Sequence, residues 1–212
     1  MSAGRAGEVI AVVLAAGGGT RYAGPTHKLD AVADPDGRTV ARRAVDAARE
    51  AGIGPVVVVT ADHVRTTHPA DVTVITNPAW NQGQATSLRC GLDAARAAGA
   101  TRVVVGLGDQ PGVTAEAWRA VAAAGTVSPI AIATYDGRRG HPVSLDESVW
   151  SLLPTEGDEG ARSLMRLRPD LVREVPCQGS PRDIDTLEDL HRWQNSSSTS
   201  SPSTARSTRR GP

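Results

Sequence analysis

The chain has 212 residues with 23 basic and 23 acidic side chains, so no net charge draws it to nucleic acid or an anionic membrane. Aromatic residues make up 3% and Phe is absent, which removes the usual stacking platforms for single-stranded nucleic acid. This length gives one well-buried domain and is short for two ordinary ones.

Residues 1–7 read as a flexible N-terminus without the apolar run and cleavage site of a signal peptide. The first strand is expected at Val9–Ala15 and runs directly into a glycine-rich loop. A helix over 39–51 gathers Val40, Ala44, Val45 and Ala48 on one face and stops at Gly52. Strands Val56–Thr60 and Val72–Thr76 precede a helix over 86–98, which opens at Thr86 or Ser87 and ends at Gly99. Strand Arg102–Leu107 leads to a helix over 115–124, capped by Thr114 and ended by Gly125. Strands Ile130–Thr134, Pro142–Leu145 and Leu171–Val175 follow. A last helix starts at Thr186, where Asp189 three residues on makes a capping-box variant.

Such alternation is the signature of an α/β domain, expected over residues 8–194. A single doubly wound, mostly parallel Rossmann-like sheet with helices on both faces is predicted, and parallel strands joined by right-handed crossovers are the economical topology. Residues 195–212 collapse to Ser, Thr, Arg and Pro and are expected to form a disordered tail. The longest apolar stretches fall far short of a membrane span, and Cys90 and Cys177 form no metal-ligand pattern. A cytoplasmic protein with two reduced thiols, and with neither nucleic acid nor membrane as partner, is the expectation.

The chemistry concentrates after the first strand, where Leu14, Ala15 and Ala16 lead into Gly17, Gly18, Gly19, Thr20 and Arg21. Glycines there allow backbone N–H groups to approach an anion closely. Two phosphate motifs fail. A Walker loop needs Lys after its last glycine, but Gly24 is followed by Pro25. A dinucleotide fingerprint counted from Gly17 finds Tyr22 at the sixth position. The loop is a third type, with Arg21 and Lys28 as cations downstream. Asp109 lies just past the fourth strand, at the same carboxyl edge of the sheet. A carboxylate facing a phosphate loop across that crevice reads as a Mg2+ ligand.

LAAGGGTRYAG (14–24) with Lys28 resembles the signature of small nucleotidyltransferases with a MobA-like domain, nearest to the molybdenum cofactor cytidylyltransferases. NPAWNQGQATSLRCGL (77–92), GLGDQPGVT (106–114), GHPVSL (140–145), GDEGAR (157–162) and DIDTLEDL (183–190) match in the family's order. The resemblance implies a metal-binding role for Asp109 and for a second acid near the last helix. Asp185 is slightly favoured for the latter and Asp183 is the alternative; both also compete as helix caps. It further implies Gly83 and Ser87 beside the nucleobase, Asn77 near the nucleotide and His141 near the acceptor. Helix capping by Ser87 and a structural hydrogen bond from His141 remain open beside those roles.

By this resemblance the reaction transfers CMP from CTP to a molybdopterin-type cofactor, with Mg2+ bound and pyrophosphate released. Arg21 and Lys28 would carry the catalysis by stabilising phosphate charge. LAAG in place of LAGG favours CTP over GTP. A guanylyltransferase, or a transferase acting on another phosphorylated small molecule, stays as the alternative. A non-catalytic nucleotide-binding accessory of a molybdoenzyme, working with that enzyme or its chaperone, is the reading from a different class.

Overall fold

A computed structural model describes residues 8–198. Seven strands form one sheet: β1 (Val9–Ala15), β2 (Val56–Thr60), β3 (Val72–Thr76), β4 (Arg102–Leu107), β5 (Ile130–Tyr135), β6 (Arg138–Asp146) and β7 (Val172–Pro176). Their spatial order is β3-β2-β1-β4-β6-β5-β7. The helices are α1 (Val40–Ala51), α2 (Gln84–Ala97), α3 (Ala115–Gly125), α4 (Glu147–Trp150), α5 (Arg162–Leu167) and α6 (Leu187–Ser198). The expected mostly parallel, doubly wound architecture is the one found.

Strand alternation splits the core into two layers, because successive side chains point to opposite faces. Ala11, Val13 and Ala15 of β1 pack with α1 and α3. Ile10, Val12 and Leu14 pack with α2, α4 and α5 on the other face. Both faces are covered, which explains why β1, β2 and β4 read as unbroken apolar runs.

The crossover expectation fails at β6, which pairs antiparallel with both β4 and β5. Its cause is the Asp136-Gly137 turn, where φ is +50° and +76°. Two consecutive positive φ values are what a two-residue hairpin turn requires, and they reverse the chain at once. β6 therefore begins at Arg138, four residues earlier than expected. The short helices α4 and α5 were not anticipated.

Helix α6 shows the expected reciprocal cap. The Thr186 N–H and hydroxyl donate to Asp189 Oδ2 at 2.9 and 2.7 Å, and the Asp189 N–H donates to Thr186 Oγ1 at 3.2 Å. It extends to Ser198, so residues 195–198 are helical instead of belonging to a disordered tail. Residues 1–7 and 199–212, read as flexible ends, lie outside the described residues. Ile184 and Leu190 form a small third cluster with Ala31, Ala33 and Val40, against which Tyr22 and Trp193 pack. That packing brings the 183–185 segment beside the loop after β1. Among the described residues no helix is long and apolar enough to cross a membrane.

Candidate active site

The carboxyl ends of β1 and β4 hold the site. After β1 the chain turns tightly, with the Tyr22 N–H donating to the Gly19 carbonyl at 3.0 Å. Gly19 has φ +59°, and a Cβ there would lie 2.7 Å from His27 Nε2, so both backbone and space call for glycine. His27 accepts the Leu29 N–H at 3.3 Å and caps a single 3-10 turn, Lys28–Asp30. That turn projects Lys28 inward.

Lys28 Nζ donates to Asp109 Oδ2 at 2.7 Å and to Asp185 Oδ1 at 2.8 Å. Arg21 reaches the other oxygen of Asp185, also at 2.8 Å. The two expected cations and two expected acids thus form one network from three distant segments. Only 8% of the Lys28 side chain is exposed, against 75% of Arg21, so Lys28 is the fixed member and Arg21 the solvent-facing one. Burial alone would lower the Lys28 pKa. The charge and hydrogen bond of Asp109, then those of Asp185, outweigh burial and raise it, so the ammonium is charged at neutral pH.

Asp109 Oδ1 is buried without a hydrogen-bond partner. Asp183 points elsewhere: its Oδ1 accepts from Gln110 Nε2 at 2.8 Å. Desolvation, then the Asp109 charge, raises the Asp183 pKa, with Asp185 adding to the effect. The caps at the start of α6 are Thr186 and Asp189, so neither Asp183 nor Asp185 serves as one. Among the described residues, no three acidic, His or Cys side chains are arranged to hold a metal ion.

A cavity of about 310 Å³ opens beside this network. Its walls include Leu14 and Ala16, all of Gly17 to Thr20, then Gly83, Ser87 and Asp109. Ala15 points into the core instead. Gly83 has φ +109°, and a Cβ there would sit 2.5 Å from the Gly157 carbonyl carbon. The Gly157 carbonyl in turn accepts the Ala85 N–H at 2.9 Å, so the GDEGAR segment is laid across the start of α2.

Because α2 begins at Gln84, Ser87 lies inside it and is not a cap. Asn77 is buried, with its Nδ2 donating to Thr86 and Ser87 hydroxyls at 2.9 Å each and its Oδ1 accepting the Ala79 N–H at 2.9 Å. Its polar atoms are consumed in holding the 77–87 loop against α2. It does not line the cavity and reaches it only through Ser87. Sequence reasoning missed Trp80, Gln84 and Asp158, which also line the cavity. Trp80 and Gln84 stood within NPAWNQGQ and Asp158 within GDEGAR, but without an assigned role.

His141 is set apart from this network. It lines a neighbouring cavity of about 280 Å³ that shares the Leu14 and Gln84 wall and has a largely apolar floor. Three arginines reach that cavity. Arg139 is paired with Glu174 and Arg166 with Glu159, whereas Arg162 makes no direct ion pair among the described residues. Desolvation, helped by the Arg162 charge, pushes the His141 pKa down to about 4, so its ring is neutral near pH 7.

A glycine loop at the carboxyl end of one strand is faced by an acid from the neighbouring strand, with a buried lysine between, and the family match makes the chain a nucleotidyltransferase. The chain belongs to the MobA-like NTP transferase domain family, whose sequence model matches residues 11–175. No curated protein matches it. Among solved structures, Rv0371c from Mycobacterium tuberculosis H37Rv is 27% identical, covering 90% of this chain and 100% of that one with a TM-score of 0.74. The same protein in complex with manganese is 28% identical, covering 89% and 99% with a TM-score of 0.70. A nucleotidyl transferase from Methanothermobacter thermautotroptrophicus, 24% identical over 92% and 99% with a TM-score of 0.73, shares the fold.

Proposed function

We propose that this nucleotidyltransferase moves CMP from CTP to a molybdopterin-type molybdenum cofactor, releasing pyrophosphate. The observation that carries the reading is the Lys28 ammonium held between Asp109 and Asp185 at the edge of the glycine-lined cavity. The triphosphate lies along Gly17–Thr20, with backbone N–H groups toward its oxygens. The base lies toward Gly83 and Ser87, and the backbone at Ala15 and Ala16 reads a pyrimidine.

Catalysis here is positioning and charge neutralisation. A phosphate monoester acceptor is already largely a dianion near neutral pH, so its oxygen attacks the α-phosphorus without a strong base. Lys28 and Arg21 stabilise charge on the α-phosphate and on the departing pyrophosphate. Asp109 and Asp185 would hold Mg2+. The buried, unpartnered Asp109 Oδ1 and the all-oxygen donor set fit that ion, and a similar protein has been solved with manganese. Bound there, Mg2+ supplies Lewis-acid neutralisation of triphosphate oxygens. The acceptor occupies the His141 cavity, where the unpaired Arg162 supplies positive charge and the apolar floor accommodates a ring.

The test is pyrophosphate release from CTP with freshly prepared molybdopterin and Mg2+. Release with CTP and much slower release with GTP is expected. Preference for GTP would overturn the base assignment, and no release with either nucleotide would overturn the reaction.

A further inference from the structure

Three rings stand behind the glycine loop, and none belongs to the charged network. Trp80 lies against Gly18 so closely that a Cβ there would be 2.8 Å from its ring. His63 Nε2 lies 3.4 Å from the Gly17 carbonyl. His27 fills the space beside Gly19, 2.7 Å from where a Cβ would be. Each glycine therefore has a ring against it, and His27 also interacts with the Gly17 and Gly18 backbone.

The rings also touch one another. His63 meets Trp80 edge-on with centroids 4.4 Å apart, and His27 meets His63 edge-on at 4.9 Å. The file thus runs Trp80, His63, His27, from the cavity wall to the turn that carries Lys28. Its members come from the loops after β3, β2 and β1, so it ties three strand ends together. Such edge-to-face pairs are favourable beyond their buried area and hold a fixed geometry. A glycine triplet has the widest backbone freedom in the chain, and an anion cradle needs that freedom removed before the ligand arrives.

We propose that Trp80, His63 and His27 are positioning residues that hold Gly17–Gly19 in the phosphate-binding conformation, acting as one stacked unit. This rests on the nucleotide reading of the same cavity. His27 and His63 act through the loop, and Trp80 acts through it while also lining the cavity; none of the three belongs to the Lys28 network. Loss of Trp80 or His63 therefore weakens phosphate binding more than it slows the chemical step, whereas His27 also caps the turn that carries Lys28. Because His63 and Trp80 pack directly on each other, removing one loosens the other, while His27 keeps its own anchor on the Leu29 N–H.

Calorimetric titration of the full chain with inorganic triphosphate and with CTP, each with Mg2+, tests this. Trp80→Ala and His63→Ala should each weaken both ligands by roughly tenfold or more, and Trp80→Phe should recover most of the loss. The double variant should lose far less than the product of the single losses, as expected for contacting residues that act together. In turnover assays the KM for CTP should rise while kcat changes less than about threefold. Unchanged affinity in Trp80→Ala, multiplicative losses, or a fall in kcat alone would overturn the proposal. If triphosphate binding depends on the rings but CTP is never turned over, the positioning role stands and the transferase reading falls. If CTP is turned over normally without the rings, the reverse holds.

Discussion

Replacing Lys28 with methionine keeps the bulk of the side chain and removes the one buried cation between Asp109 and Asp185. Two hydrogen bonds of 2.7 and 2.8 Å disappear, and two partly buried carboxylates are left facing each other. Breaking a fully buried pair costs about 3–5 kcal/mol. Here both acids keep 21% exposure and Arg21 still reaches Asp185, so a loss of about 2–3 kcal/mol is expected. For a domain of this size that corresponds to a Tm lower by about 4–12 °C. The folded-state pKa of Lys28 is raised, so its contribution is fully present below 10.5 and is lost only as the pH rises through the higher folded value. The wild type therefore keeps it at neutral pH. Urea unfolding and a thermal melt at pH 7 measure the two quantities. Equal stability of variant and wild type at pH 7 would refute the reasoning.

Asp109→Asn should abolish Mg2+-dependent pyrophosphate release and leave the circular dichroism spectrum unchanged; retained turnover would remove Asp109 from the metal site. Gly83→Ala places a methyl where φ is +109° and the Gly157 backbone is 2.5 Å away. It should cost about 1–3 kcal/mol in chemical denaturation and raise the KM for the nucleotide, with little change in the KM for the acceptor. For His141 the folded pKa of about 4 lies below the unfolded value near 6.5, so only the unfolded chain binds the proton between them. Stability should fall as the pH drops from about 6.5 to 4, His141→Gln should flatten that slope, and Arg162→Ala should raise the His141 titration midpoint seen by NMR.

The sheet, and the placing of the glycine loop and Asp109 at its edge, were legible where the signal is local. Continuous apolar runs marked β1, β2 and β4, and the glycines and Asp109 follow directly from the ends of β1 and β4. The direction of β6 was not read, because the strand was expected to begin only at Pro142, which buried the Asp136-Gly137 hairpin signal in a longer connection. Asn77 was expected near the nucleotide, but its role depends on the side chains of Thr86 and Ser87 after α2 has formed. Choosing between Asp183 and Asp185 by alternation along the chain was impossible, since what separates them is Gln110 drawing one away and Lys28 with Arg21 drawing the other in. The ring file escaped notice for the same reason. His27, His63 and Trp80 are far apart in sequence and meet only where three strand ends converge.

The central claim is that the cavity beside Gly17–Thr20 binds a nucleoside triphosphate together with a divalent cation. A thermal-shift panel of CTP, GTP, ATP and UTP, each with and without Mg2+, tests it most directly. The account predicts a rise in melting temperature that depends on Mg2+, is largest for CTP and is absent in Asp109→Asn. No Mg2+-dependent shift with any of the four nucleotides would contradict it.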